Sequence, residues 1–233
     1  MDIKTVIGPI LEGWGLEMPE GTAEKLGAFL ELVLSENEKY NLTAIRDPEE
    51  AAVKHIADSL FLFAAFPDLK GKLLDIGCGA GFPGVPAKLW RPELELTAMD
   101  STGKKADFVV LAGRQLGFDV NALNLRAEEA AVPPMRESFD FVTGRAVAPL
   151  GVLAELSLPY VRPGGYFLPM KSTTENFEAE LSKALPHLKK LGAELQGRRE
   201  YELPGGGKRQ VLIIKKTGVT AVQAYPTEWD KTY

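Results

Sequence analysis

The stretch Leu73-Leu74-Asp75-Ile76-Gly77-Cys78-Gly79-Ala80-Gly81-Phe82-Pro83-Gly84 decides the fold. Leu73, Leu74 and Ile76 form a short apolar run with one carboxylate, Asp75, inside it. Such a run, stopped by glycine, reads as a buried parallel strand. Gly77, Gly79, Gly81 and Gly84 let the backbone turn tightly and approach a ligand with no side chain in between. Pro86 to Leu89 then opens a helix, where proline is tolerated and the first N–H groups are free. A strand, a glycine-rich turn and a helix N-terminus make a cradle for a nucleotide-like ligand.

Outward from this tract, strands and helices alternate. Leu94 to Met99 is a second strand ending in Asp100, and Gly103 to Leu116 a helix closed by Gly117. Val120 to Leu125 is a third strand, followed by Arg126-Ala127-Glu128. Phe139 to Thr143 is a fourth, Leu150 to Tyr160 a helix, and Gly165 to Met170 a fifth strand left through Lys171. Glu175 to Leu191 is a long helix that Pro186 should kink or break. Leu195 to Leu203 and Gln210 to Lys215, joined through Pro204-Gly205-Gly206-Gly207, read as a hairpin. The alternation predicts an α/β fold, a mostly parallel seven-stranded sheet with helices on both faces and an antiparallel C-terminal hairpin.

The residues before the tract read as a helical extension. Leu26, Phe29, Leu30, Val33 and Leu34 recur at helical spacing from Thr22, and Asn41-Leu42-Thr43 breaks the pattern. Asp47 caps the next helix, with Pro48 at its first position, and that helix ends before Pro67. The expected organisation is a helical extension over 1–68, a ligand-binding domain over 69–217 and a C-terminal tail over 218–233.

Composition narrows the class. A chain of 233 residues, 45% hydrophobic and 25% charged, suits one globular domain with a small appendage. No apolar run approaches the ~20 residues that span a bilayer, and Met1-Asp2-Ile3-Lys4 has no signal-peptide pattern. The single Cys78 fits a reducing, cytoplasmic setting. Two histidines and one cysteine give no metal-ligand spacing, so no metal is expected. A formal charge of −5 excludes nucleic-acid binding by bulk electrostatics. A nucleic-acid partner would need a local basic surface.

In open parallel sheets, ligands sit beyond the carboxyl ends of the strands. The Gly77 turn, Asp100, Ala127-Glu128, Arg145 and Lys171 all fall there. An acid at Asp100 suits ribose hydroxyls and also caps the next helix. Glu128 reads as a ligand contact or a solvated acid at a helix start. Phe82 packs on a cofactor or in the core. Arg145 holds a carboxylate or phosphate, or forms a surface ion pair. His55 and Asp58 stand one helical turn apart and can share a hydrogen bond.

The pattern Asp75-x-Gly77-x-Gly79-x-Gly81 resembles motif I of class I S-adenosylmethionine methyltransferases. An acid in the first strand suits the amino group of a methionine moiety and repels a pyrophosphate. Further signatures sharpen the likeness: Asn41-Leu42-Thr43 with Lys54-His55 and Asp58-Ser59-Leu60; Asp100-Ser101 with Lys104-Lys105; Arg126-Ala127-Glu128 with Arg145-Ala146. Together they resemble the bacterial small-subunit ribosomal RNA guanine-N7 methyltransferase family, also called glucose-inhibited division protein B. The resemblance implies a Rossmann-like fold, S-adenosylmethionine as cofactor, and methylation of one guanosine in 16S ribosomal RNA or in the small subunit. By position it implies cofactor contacts at Gly77, Phe82, Ala127, Glu128 and Arg145, to which the reading of the tract and the second strand's end adds Asp75, Gly79, Gly81, Asp100 and Ser101. Asn41, Arg46, Lys54, His55, Arg145 and Lys171 are the expected substrate contacts. The chain departs from the family at Cys78, at Lys171-Ser172, and after Tyr225-Pro226, where Thr227-Glu228-Trp229-Asp230 replaces a proline- and base-rich tail.

N7 of guanine carries an in-plane lone pair, so no general base is expected and none is assigned. Two other readings stay open at this level: a nicotinamide-dependent oxidoreductase, and a methyltransferase-like module that docks on RNA without catalysis.

Overall fold

The computed structural model describes residues 2–220. The N-terminal part comprises α1 (Ile3–Gly13), α2 (Thr22–Tyr40), α3 (Pro48–Ala51), a π-helical turn (Ala52–Ala57) and α4 (Asp58–Ala65). Then follow β1 (Lys72–Ile76), α5 (Gly84–Trp90), β2 (Glu95–Asp100), α6 (Gly103–Leu116), β3 (Asn121–Asn124) and α7 (Ala127–Ala130). The chain continues through β4 (Phe139–Arg145), α8 (Leu150–Ser157), β5 (Val161–Ser172), α9 (Phe177–Lys190), β6 (Ala193–Leu203) and β7 (Gly207–Lys216).

The sheet has seven strands in the order β3-β2-β1-β4-β5-β7-β6. The first five pair in parallel, while β7 pairs antiparallel with both β5 and β6. Alternate residues of each strand face opposite layers. Leu73 joins the apolar cluster of α1, α2 and α4 to α6, whereas Leu74 and Ile76 join the cluster of α8 and α9. Burial on both faces explains why β1 reads as an uninterrupted apolar run. The helical extension therefore shares its core with the sheet, and Phe29, fully buried, packs against both Phe82 and Phe108.

Differences from the sequence reading are local. Pro186 lies inside α9 and Pro9 inside α1 without ending either helix. Both are exposed, where water replaces the lost backbone bond. The third strand is shorter than expected, Asn121–Asn124, and α8 stops at Ser157. Asp47 caps as expected, accepting from the Glu50 N–H at 2.8 Å, yet the helix it opens widens into the π turn at Ala52–Ala57. The tail motif at Tyr225-Pro226 and Thr227-Glu228-Trp229-Asp230 lies outside the described residues.

Because Phe29 joins the extension to Phe82 of the glycine turn, Phe29→Ala should lose about 3–5 kcal/mol of unfolding free energy. Urea denaturation measures it; a loss under 1 kcal/mol would mean the extension packs independently of the sheet.

Candidate functional site

The strand order reverses between β1 and β4, so a crevice opens beyond their carboxyl ends. The glycine turn fills its floor. Gly77, Gly79 and Gly81 all have positive φ, at 64°, 55° and 91°. A Cβ on Gly77 would meet Val147 at 2.6 Å, so no larger residue fits there. The turn is clasped to β2 by Cys78 N–H donating to the Met99 carbonyl, and by Gly79 N–H donating to Asp100 Oδ2 at 2.9 Å. Asp100 Oδ1 accepts from Thr102 N–H at 2.8 Å. Asp100 thus caps the next segment, as one of its two sequence readings had it, and also holds the turn.

Asp75 is fully buried. Its Oδ2 accepts the Gly84 N–H at 2.8 Å, closing the start of α5 onto β1, while its Oδ1 has no partner in the protein. Burial raises its pKa to about 7. Cys78 is buried too, and burial together with Asp75 and Asp100 pushes its thiol up, which rules it out as a ready nucleophile.

A cleft of about 350 Å³ lies beside the turn, lined by Gly77, Asp100, Ser101, Ala127, Glu128 and Val147, among others. Glu128 is paired with the exposed Arg126 at 2.5 Å. The Ala127 carbonyl accepts from the Tyr160 hydroxyl at 2.5 Å, which pins the short α7 to the sheet. The cleft therefore presents backbone, the two carboxylates of Asp100 and Glu128 and small side chains, with hydrophobic walls from Met99, Leu125 and Leu156.

Across the crevice, the dispersed motif residues converge. Arg145 donates to Asp58 Oδ2 at 2.6 Å and to the Lys54 carbonyl at 3.1 Å. Its guanidinium lies 5.4 Å from the centroid of the Phe82 ring, and its NH2 group approaches His55 Nδ1 at 3.4 Å. His55 stacks on Phe82 with centroids 4.7 Å apart, and its Nε2 meets Thr43 Oγ1 at 2.7 Å. Burial and the neighbouring Arg145 lower the His55 pKa to about 4, so the ring is neutral at pH 7. With Arg145 donating to Nδ1, the Nε2–H donates to Thr43. The π turn supplies the Lys54 carbonyl that Arg145 uses, which agrees with the frequent placing of π bulges at functional sites.

The remaining expected residues are placed differently. Arg145 is no surface ion pair, since its partner Asp58 is 1% exposed on the side chain. His55 and Asp58 share Arg145 rather than a bond with each other. Lys171 is committed to Glu180 at 2.8 Å and to the Ala148 carbonyl. Lys54 pairs with Glu50 at 2.6 Å. Asn41 is exposed and caps α2 in the left-handed region, φ 53°. Arg46 is exposed on the loop between α2 and α3.

Three contributors went unnoticed in the sequence. Asn37 holds that loop, accepting from Leu42 and Thr43 N–H and donating to the Thr43 carbonyl. A signal existed: Asn37 continues the apolar stripe of Leu26, Phe29, Leu30 and Val33 as its one polar member. Tyr201 donates to Asp58 Oδ1 at 2.7 Å, and Tyr160 anchors Ala127. Nothing local marks either tyrosine, because both contacts reach elements far away in sequence.

Among the described residues no group of histidine, cysteine or acidic side chains is placed to hold a metal, and no helix is long and apolar enough to cross a membrane. The fold and the cleft define a Rossmann-like class I methyltransferase architecture. It is shared with a Listeria monocytogenes protein described as a class I S-adenosylmethionine-dependent methyltransferase (TM-score 0.60, 14% identity, covering 89% of this chain and 72% of that one). A Thermus thermophilus branched-chain polyamine synthase, solved with 5'-methylthioadenosine, is also similar (TM-score 0.63, 15% identity, covering 88% and 68%). The family model for rRNA small subunit methyltransferase G (GidB) matches residues 22–196. Ribosomal RNA small subunit methyltransferase G of Lactococcus lactis subsp. cremoris is 38% identical over 93% of this chain and 91% of its own. That of Symbiobacterium thermophilum is 40% identical over 97% and 96%. The chain belongs to the rRNA small subunit methyltransferase G family.

The raised pKa of Asp75 has a signed consequence. The folded state favours the neutral acid, so its contribution is full below the unfolded value of 3.8 and is lost as pH rises toward about 7. Asp75→Asn should therefore gain stability relative to the parent between pH 4 and pH 7, and hold a constant difference above that. Urea titrations at several pH values measure this, and a flat difference from pH 4 to 8 would show that Asp75 is already ionised in the fold.

Proposed function

We infer that this chain is an enzyme that transfers the methyl group of S-adenosylmethionine to N7 of a guanosine in 16S ribosomal RNA. The observation that carries this reading is the meeting of the glycine turn, Asp100 and Ala127-Glu128 around one cleft, in a chain of this family. S-adenosylmethionine, when bound, supplies an electrophilic methyl carbon on a sulfonium.

The residues present fit that group. Asp75, in the strand just before the turn, keeps a buried Oδ1 without a protein partner, an acceptor that an ammonium could use, although Asp75 itself does not line the cleft. Gly77, Gly79 and Gly81 leave the backbone bare for close approach. Asp100 and Ser101 suit ribose hydroxyls, and the turn at Ala127-Glu128 with its apolar walls suits a purine. Phe82 packs against His55 and Arg145 and joins the glycine turn to them.

No proton need leave N7 before attack. The one histidine nearby agrees with this, since His55 is neutral and both its nitrogens are engaged within the protein. The protein's contribution is to hold nucleophile, carbon and sulfur in line, an effect of up to about 7–11 kcal/mol. A guanine N7 edge is hidden in the deep groove of A-form RNA, so the target is a loop, a bulge or an extruded base. The helical extension, 1–68, forms the wall on the RNA side. Arg46 is its exposed cation there, and Asn41 and Lys54 flank it. Arg145 and Lys171 bound the same crevice from the sheet. The partner is small-subunit ribosomal RNA, free or in the subunit, and its place of action is the cytoplasm.

Calorimetry with S-adenosylhomocysteine and with NAD tests the cofactor. Asp100→Asn removes a charged acceptor and should weaken S-adenosylhomocysteine binding about 10- to 100-fold. Tight NAD binding without S-adenosylhomocysteine binding would favour the oxidoreductase. Mapping of N7-methylguanosine in 16S ribosomal RNA, with and without the protein, tests the reaction itself. Cofactor binding with no methyl transfer to RNA or subunits would leave only a docking module.

A further inference from the structure

The terminal hairpin contributes to the crevice through one side chain. Tyr201, on β6, is buried and lies flat against Phe61 of α4, ring centroids 3.8 Å apart, with Trp14 edge-on at 5.4 Å. These contacts fix the direction of its hydroxyl, which donates to Asp58 Oδ1 at 2.7 Å. Asp58 has two oxygens and three claimants. Oδ2 holds Arg145 at 2.6 Å, Oδ1 holds Tyr201, and Arg209 Nε stands 4.0 Å from Oδ1. That Nε is itself buried with no hydrogen-bond partner. Arg209 sits on β7 directly opposite Tyr201 in the register. A carboxylate 1% exposed, between two guanidiniums, turns toward whichever is left unsatisfied. The Tyr201 hydroxyl occupies the oxygen that Arg209 would otherwise take.

We propose that Tyr201 is a positioning residue for methyl transfer: its hydrogen bond to Asp58 Oδ1 fixes the rotation of the carboxylate, which keeps Asp58 Oδ2 on Arg145 and the Arg145 guanidinium beside Phe82. Without the hydroxyl, Asp58 rotates toward Arg209, and Arg145 loses the anchor that aims it. The inference rests on the proposed function, because it assigns Arg145 to the reacting crevice.

A double-mutant cycle tests it. Rates of methyl transfer to small ribosomal subunits lacking the modification are measured for the parent, Tyr201→Phe, Arg145→Lys and the double variant. Tyr201→Phe should lower kcat/KM for the RNA about tenfold in the parent background and less than about twofold beside Arg145→Lys, since contacting groups couple. Trp14→Phe disturbs the same aromatic cluster but keeps the hydroxyl; it should lower the melting temperature with kcat/KM unchanged. Tyr201→Phe combined with Arg209→Met removes the competing guanidinium as well and should recover most of the parent rate; a folded double variant of this kind that recovers nothing would overturn the role. Equal losses in both backgrounds, or no loss from Tyr201→Phe, would overturn the positioning role alone. Absence of transfer by the parent protein would overturn the proposed function, and this inference with it.

Discussion

The buried carboxylate of Asp58 is the contact on which the arrangement of the site depends. It comes from α4 of the helical extension and accepts from Arg145 at the end of β4 and from Tyr201 in the terminal hairpin. Three parts of the chain, far apart in sequence, are thereby tied at one atom group. A charge buried this deeply is tolerated only with its partners in place, and breaking such a pair by removing one partner costs about 3–5 kcal/mol. The extension is therefore part of the active crevice rather than a decoration on it.

A second clasp holds the cofactor side. Asp75 and Asp100 each give oxygens to backbone N–H groups of the glycine turn and the helix that follows it. The two acids do structural work before any ligand arrives, and Asp75 still keeps one oxygen without a partner. Phe82 joins the two clasps. It belongs to the turn by sequence, but its ring lies between His55 and Arg145 on one side and Phe29 on the other. His55, which stacks on Phe82, also meets Thr43 in the loop that carries Arg46.

Much of the fold was legible because its signals are local. An apolar run stopped by glycine, the alternation of strands with helices, and the Asp47-Pro48 cap each depend on neighbours a few residues away. The misjudged points were those where solvent or packing overrides propensity. Pro186 stays inside its helix because it faces water, and the helix opened at Asp47 widens into a π turn whose Lys54 carbonyl is taken by Arg145, 91 residues away. The site was legible in its residue types but less so in their roles. Lys171 and Lys54, chosen as cations free to meet RNA, are committed to Glu180 and Glu50.

By itself the sequence determined the architecture, the location of the cofactor crevice and the family, because glycine spacing, strand ends and motif order are properties of the linear chain. Only the tertiary structure decided which acids are already occupied, why Arg145 is paired with a buried acid rather than one at the surface, and that Asn37, Tyr160 and Tyr201 support the residues around the crevice. The reason is physical: a hydrogen bond between elements distant in sequence leaves no periodicity behind, and the charge state of Asp75 or His55 follows from what surrounds it, not from what precedes it. The tract from Leu73 to Gly84 announces that something binds here; the carboxylates and rings folded around it govern how.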